Sequence, residues 1–290
     1  MQKNSERLGM FCAILSAVLF GTMPLFARTA YQYGSNAWST AFARYLFGGV
    51  ILLLFFAFSP GQTVRITPRQ GRRLFLLSIF QAATPVLLYL SYNTIDSGLA
   101  TTLHFTYPVM VILLMTLLRH VPLTRQKLLC TALCIAGVLC FYTPGERVGA
   151  LGMALAVLSG LTFSLYILIL GNSGLSSLPV LTATFWISIF AAAEIGALAF
   201  LLGELNLDVG WQAWAAWGYL GLFATVFAIA LFQKGVFLCG EVNASLLSNF
   251  EPLTGVTLGV LVFGEALTWR IAAGVVCILA AAALTTRIRR

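Results

Sequence analysis

Ala100-Thr101-Thr102-Leu103-His104-Phe105-Thr106-Tyr107-Pro108 returns 144 positions later as Ala244-Ser245-Leu246-Leu247-Ser248-Asn249-Phe250-Glu251-Pro252. The register holds without a gap to Leu123-Thr124 and Leu267-Thr268. Earlier, Ala17-Val18-Leu19-Phe20-Gly21 parallels Ala156-Val157-Leu158-Ser159-Gly160 at a slightly shorter spacing. The chain therefore reads as two related halves, 1–145 and 146–290, each carrying the same proline at the same depth of an apolar run.

The composition says what those runs are. Hydrophobic residues make up 60% of the 290, charged residues 9%, and mean hydropathy is +0.93. Soluble domains use roughly 25% charged residues, so lipid is the consistent solvent. A spanning helix needs about 20 mostly apolar residues. Polar, Gly and Pro punctuation then cuts ten spans: 8–28, 37–58, 73–94, 98–118, 126–143, 149–170, 179–202, 211–232, 242–263 and 269–286. Asp96-Ser97-Gly98 marks the weakest cut. The expected fold is all-α integral membrane. Gly9 to Ala27 exceeds a signal-peptide core and is followed at once by another span, so it reads as part of the mature protein.

The net charge of +8 resides in short loops, which points to membrane orientation and not to nucleic acid. With the N-terminus in the cytoplasm, Lys3, Arg7, Arg65, Arg69, Arg72, Arg73, Arg119, Arg125, Lys127, Lys234, Arg287, Arg289 and Arg290 fall inside. Only Arg28, Arg147 and Arg270 fall outside, and Arg44 lies within a span. This positive-inside asymmetry puts both termini in the cytoplasm of a cell (inner) membrane protein. Five spans per half make the second copy enter with opposite orientation. Such inverted repeats are a transporter architecture, with sites near the midplane between halves. The internal pseudosymmetry also suits a monomer.

Several residues resemble one family. Asn243-Ala244-Ser245-Leu246-Leu247, Phe250-Glu251-Pro252, Gly264-Glu265-Ala266-Leu267-Thr268 and Ala273-Gly274 resemble the EamA-type repeat of the drug/metabolite transporter superfamily. Gly98-Leu99-Ala100, Tyr107-Pro108, Leu123-Thr124 and Gly137 resemble it more loosely in the first half. Phe20-Gly21-Thr22-Met23-Pro24 and Arg44 look like the family's opening. His120-Val121 stands where the repeat carries Gly-Glu. The resemblance covers nearly the whole chain and implies a five-plus-five transporter of amino acids or related metabolites, leaning toward export.

Ionisable groups inside a membrane mark a pathway or a pairing. Glu251 precedes Pro252, which removes a helix hydrogen bond, so a carboxylate beside a broken helix can take a substrate amine or a proton. The repeat sets His104 opposite Ser248 and Tyr107 opposite Glu251. Arg44 can clamp a carboxylate, snorkel or pair. Glu194 lies amid Ala191–Ala193 and Gly196, a face suited to close packing, so it is expected to point inward and to bind substrate or a proton together with Glu251 and His104. Gln81 precedes the Thr84-Pro85 kink. Tyr89, Tyr92, Tyr166 and Trp186 are inward-facing candidates for an aromatic cage around an amine. Lys234 reads as interfacial. Trp211, Trp214 and Trp217 read as an interface belt. The cysteines, Cys130 and Cys134 among them, read as small core residues with no metal or cofactor.

The expected function is a secondary transporter of a small metabolite, an amino acid or amine, by alternating access, with proton coupling left open. Its partners are that substrate and the lipid bilayer. A multidrug or cationic-compound pump of the same fold is the first alternative. A membrane enzyme on lipid-linked substrates is the second, but the chain has no HExxH, GxSxG or P-loop.

Overall fold

The computed structural model describes residues 2–59, 63–95, 97–120, 122–140, 149–263 and 268–285. Asp96, Val121, Arg147, the Gly264–Leu267 motif, Arg287, Arg289 and Arg290 lie outside the described residues. Among those described, the chain is all-helical. The helices are α1 (Gln2–Gly21), α2 (Met23–Gln32), α3 (Ala37–Phe58), α4 (Pro68–Ser91), α5 (Ser97–His104), α6 (Tyr107–Arg119) and α7 (Arg125–Cys140). The later helices are α8 (Ala150–Gly171), α9 (Val180–Leu201), α10 (Trp211–Tyr219), α11 (Ala228–Cys239), α12 (Glu241–Leu247), α13 (Phe250–Phe263) and α14 (Trp269–Thr285). A π-helical segment, Leu220–Phe227, joins α10 to α11.

Among the described residues, six stretches are long and apolar enough to cross a bilayer: Asn4–Gln32, Ala37–Phe58, Pro68–Ser91, Ala150–Gly171, Val180–Leu201 and Trp211–Cys239. Large apolar side chains such as Phe58, Leu117, Phe200 and Leu201 face outward, as lipid requires. The chain is a multi-pass membrane protein. Among the described residues, the expected spans 98–118 and 242–263 are each broken into two helices.

The breaks have a local cause. A proline lacks an N–H but is tolerated in the first turn of a helix. Pro24, Pro108 and Pro252 each sit just after a break, at Thr22, at 105–106 and at 248–249. His104 thus ends α5, while His120 closes α6 at φ 53°. Pro85 instead stays inside α4. It leaves the Gln81 carbonyl without its helical donor, and the Tyr45 hydroxyl fills the gap at 2.7 Å. Asn36 caps α3 through the Ser39 N–H, and Thr67 with Gln70 forms a capping box on α4. Thr124 accepts the Lys127 N–H at the start of α7, and Thr268 accepts the Ala272 N–H at the start of α14 through its carbonyl.

Packing joins early helices to late ones. The α1 helix lies on α11, α4 on α8, α3 on α9 and on the π segment, α4 on α9, and α7 on α14. Glycines allow the close approaches. A Cβ on Gly137 would fall 3.0 Å from the Gly274 carbonyl oxygen, and one on Gly48 would fall 2.6 Å from Thr225 Cγ2. Cys130 and Cys134 are buried with Ile112, Leu246 and Ala281. Trp211 is exposed, but Trp217 is fully buried against Ala30 and Ala43. That indole belongs to the core and not to the belt expected from sequence.

Two polar knots tie the ends of the molecule. At one, Asn36 Nδ2 donates to the Glu204 carbonyl at 2.6 Å, and the Asn206 N–H donates to Ser39 Oγ at 2.8 Å. At the other, Arg119 pairs with Glu241 and donates to the Leu168 carbonyl.

Candidate functional site

Arg44 is 1% exposed and anchors the interior. Gly48, one turn later on α3, lets the π segment come close, and π geometry displaces the ordinary helical hydrogen bonds. The guanidinium reaches three acceptors: Nε to Thr225 Oγ1 at 3.3 Å, Nη2 to the Ala224 carbonyl at 3.4 Å, and Nη1 to Met23 Sδ at 2.9 Å. Its Cζ lies 4.8 Å from the Tyr45 ring centroid. Tyr89 of α4 brings its hydroxyl beside the guanidinium but completes no hydrogen bond. Tyr31 packs edge-on to Tyr89, whose ring also meets that of Tyr92.

Glu251 lies in the first turn of α13 and is half-buried. Gly21, at the break after α1, packs directly on its backbone carbonyl. Its carboxylate is within electrostatic reach of Arg44, yet the two form no ion pair. A basic and an acidic side chain from different halves of the chain thus face a common interior without pairing by contact.

An aromatic cluster adjoins them. His104 lies 5.3 Å from the Tyr107 ring and 5.9 Å from the Phe163 ring, centroid to centroid. Phe163 continues the cluster to Tyr166 and Phe232. His104 Nδ1 is 2.8 Å from Ser159 Oγ. Tyr107 interacts electrostatically with Glu251 and lies beside Ser248.

Buried polar atoms in folded proteins are nearly all hydrogen-bonded. Here the exceptions concentrate around this interior: the hydroxyls of Tyr31, Tyr89, Tyr107 and Tyr166, Gln81 Oε1, Asn249 Oδ1, and both amide atoms of Gln233. In lipid such groups have no water to turn to, so a lining of this kind suits a polar ligand or a water-filled path.

Of the residues singled out in the sequence, Arg44, Tyr89, Glu251, His104 and Tyr107 share this interior. Gln81 joins it through its carbonyl bond to Tyr45. Glu194 faces α4, where it is 2.6 Å from Ser78 Oγ, and Tyr45 is the group that links it electrostatically to the Arg44 region. Trp186 donates its indole N–H to the Val64 carbonyl and packs on Phe185 and Phe190, which ties it to the loop before α4. Lys234 is exposed. Sequence reading missed Tyr45, Ser159, Thr225, Gln233 and Asn249. Only Asn249 carried a signal, as a polar residue at the break of the ninth apolar run.

Comparison with known proteins agrees with this architecture. The sequence profile of the EamA-like transporter family matches residues 7–143 and again 150–287. An uncharacterized transporter of Archaeoglobus fulgidus is 27% identical over 263 residues, 90% of each chain. Another, from Synechocystis, is 27% identical over 188 residues, covering 63% of this chain and 56% of that protein. One crystal structure of a protein superposes with a TM-score of 0.79 at 17% identity, covering 98% of this chain and 96% of the other. That last likeness concerns the fold alone.

Proposed function

The chain belongs to the EamA-like transporter family, and from that premise we propose that it carries a small amino acid or amine across the cell membrane by alternating access between two inverted five-helix halves. In this reading the broken and shorter helices also cross, giving ten spans with both termini cytoplasmic. Three observations support it. The breaks at 105–106 and 248–249 fall at matching places in the two halves, the α4–α8 packing has its counterpart in α1–α11, and the family profile matches twice.

One observation carries the substrate class. Arg44 and Glu251 stand in electrostatic reach without an ion pair, amid phenols and amides with no partner. A zwitterion satisfies both ends: its carboxylate meets the guanidinium fork, and its ammonium meets Glu251. Reciprocal exchange of that ammonium for a proton on Glu251 gives a route to proton coupling.

The test is thermal stability of the purified protein against amino acids, their decarboxylated amines and quaternary ammonium ions. Ligand binding to the folded state raises stability by about 2.7 kcal/mol at a hundredfold excess over Kd. Amino acids should stabilise the wild type, and Glu251→Gln should lose the response. An equal response in the variant removes Glu251 from the site, and silence across the panel overturns the reading. The ring cluster of His104, Tyr107, Phe163, Tyr166 and Phe232 favours a second reading, an exporter of bulky organic cations. Stabilisation by quaternary ammonium ions with no amino-acid response would select it.

A further inference from the structure

Ser159 has one hydroxyl proton and two neighbours that compete for it. Its Oγ is 2.7 Å from the Ala156 carbonyl and 2.8 Å from His104 Nδ1. A carbonyl oxygen only accepts, so the proton goes to Ala156 and the Ser159 lone pair faces the ring. Nδ1 must then carry a hydrogen. His104 is 5% exposed and meets no carboxylate among the described residues, and an unpaired charge in such a place is costly. The imidazole is therefore neutral, and a neutral imidazole with a hydrogen on Nδ1 has a lone pair on Nε2.

The backbone is held as firmly as the ring. Pro108 lacks the N–H that would bond the His104 carbonyl. Gly160 lies against that carbonyl instead, where a Cβ would stand 2.8 Å from the oxygen. Adjacent residues of α8, Ser159 and Gly160, thus set the side chain and the main chain of His104 together. In the other half Gly21 lies on the Glu251 carbonyl, one turn beyond Ser248, the counterpart of His104, and Phe20 stands where Ser159 does. The hydroxyl device is present on one side only.

We propose that Ser159 is a positioning residue that locks His104 as the Nδ1–H tautomer, so that Nε2 forms an acceptor site for an N–H group of the transported molecule. The aromatic faces of Phe105, Tyr107 and Phe163 around the ring suit the same ligand group, an ammonium. This rests on the transporter reading for its substrate, but the tautomer lock stands or falls without it.

The chain has only two histidines, His104 and His120, so 15N-histidine NMR of the protein in lipid nanodiscs resolves both, with His120→Gln giving the assignment. The wild type should show a protonated Nδ1 and a bare Nε2 at His104. Ser159→Ala should convert it to a mixture or to the opposite tautomer, and Ser159→Thr, which keeps the hydroxyl, should retain the lock. Ethanolamine, which has N–H donors, should move the Nε2 resonance, and choline, which has none, should not. A wild-type ring already mixed, or an unchanged tautomer in Ser159→Ala, overturns the lock. A locked ring that answers neither amine, or answers both equally, overturns the acceptor role. Should the amino-acid panel fail while the lock and the ethanolamine response hold, the substrate reading falls and the Ser159 assignment remains.

Discussion

Arg119 and Glu241 meet at 2.7 Å where α6 ends and α12 begins, an ion pair that links the two halves of the chain. Arg119 also donates to the Leu168 carbonyl near the end of α8, so three helices converge on one guanidinium. Gly171, the last residue of α8, lies directly under the Glu241 carboxylate, leaving no room for a Cβ. This knot ties α6, α8 and α12 together, and the proposed alternating access would have to undo it.

We predict that Glu241→Gln and Arg119→Ala each lower stability, with a coupling between them of about 1 kcal/mol, the upper range for pairs this open to solvent. The side chains are 20% and 16% exposed, which keeps the figure modest. Gly171→Ala should reproduce the Glu241→Gln loss and add little to it in the double variant. A thermal-unfolding double-mutant cycle measures both; additive losses would mean that Gly171 and the ion pair act separately.

At the α4 kink, Tyr45→Phe leaves the Gln81 carbonyl without a donor, a cost of about 1–3 kcal/mol for a buried group. Pro85→Ala returns the helical N–H to that carbonyl. Tyr45→Phe should therefore cost less in the Pro85→Ala background. Equal costs in both backgrounds would show that the hydroxyl does not serve the kink.

Where α3 meets the π segment, Gly48→Ala places a methyl against Thr225 and should cost about 1–3 kcal/mol by overpacking. Separation of α3 from the π segment also withdraws Thr225 and Ala224 from Arg44. The variant should lose ligand-induced stabilisation along with stability. Full retention of the ligand response would show that the Arg44 contacts tolerate the shift.

Arg44→Lys replaces a planar fork with a single ammonium that cannot hold Thr225, Ala224 and Met23 together. Its response to carboxylate ligands should fall at least tenfold in apparent affinity, a loss of about 1.4 kcal/mol. Calorimetric titration with the best ligand of the panel measures it. An unchanged affinity would place the substrate carboxylate elsewhere.

Much of this was legible in the chain itself. Lipid as the solvent, the helical runs and the matched prolines follow from composition, length and local chemistry, because a backbone in hydrocarbon must satisfy its own hydrogen bonds wherever the chain enters it. Those same rules picked out Arg44, Glu251, His104 and Tyr107, since a polar group in an apolar run stands out without any knowledge of its neighbours. They could not say that Ser159 holds His104, that Tyr45 serves the Gln81 carbonyl, that Trp217 turns inward or that Trp186 is tied to Val64. Each of those depends on how far one helix is rotated against another. A helix that is apolar nearly all round carries no stripe to declare its inner face, and lipid gives it no hydrophobic reason to choose one. That choice fell to close approaches at Gly48, Gly137, Gly160 and Gly171, between residues far apart in the chain, and only the assembled structure brings them into contact.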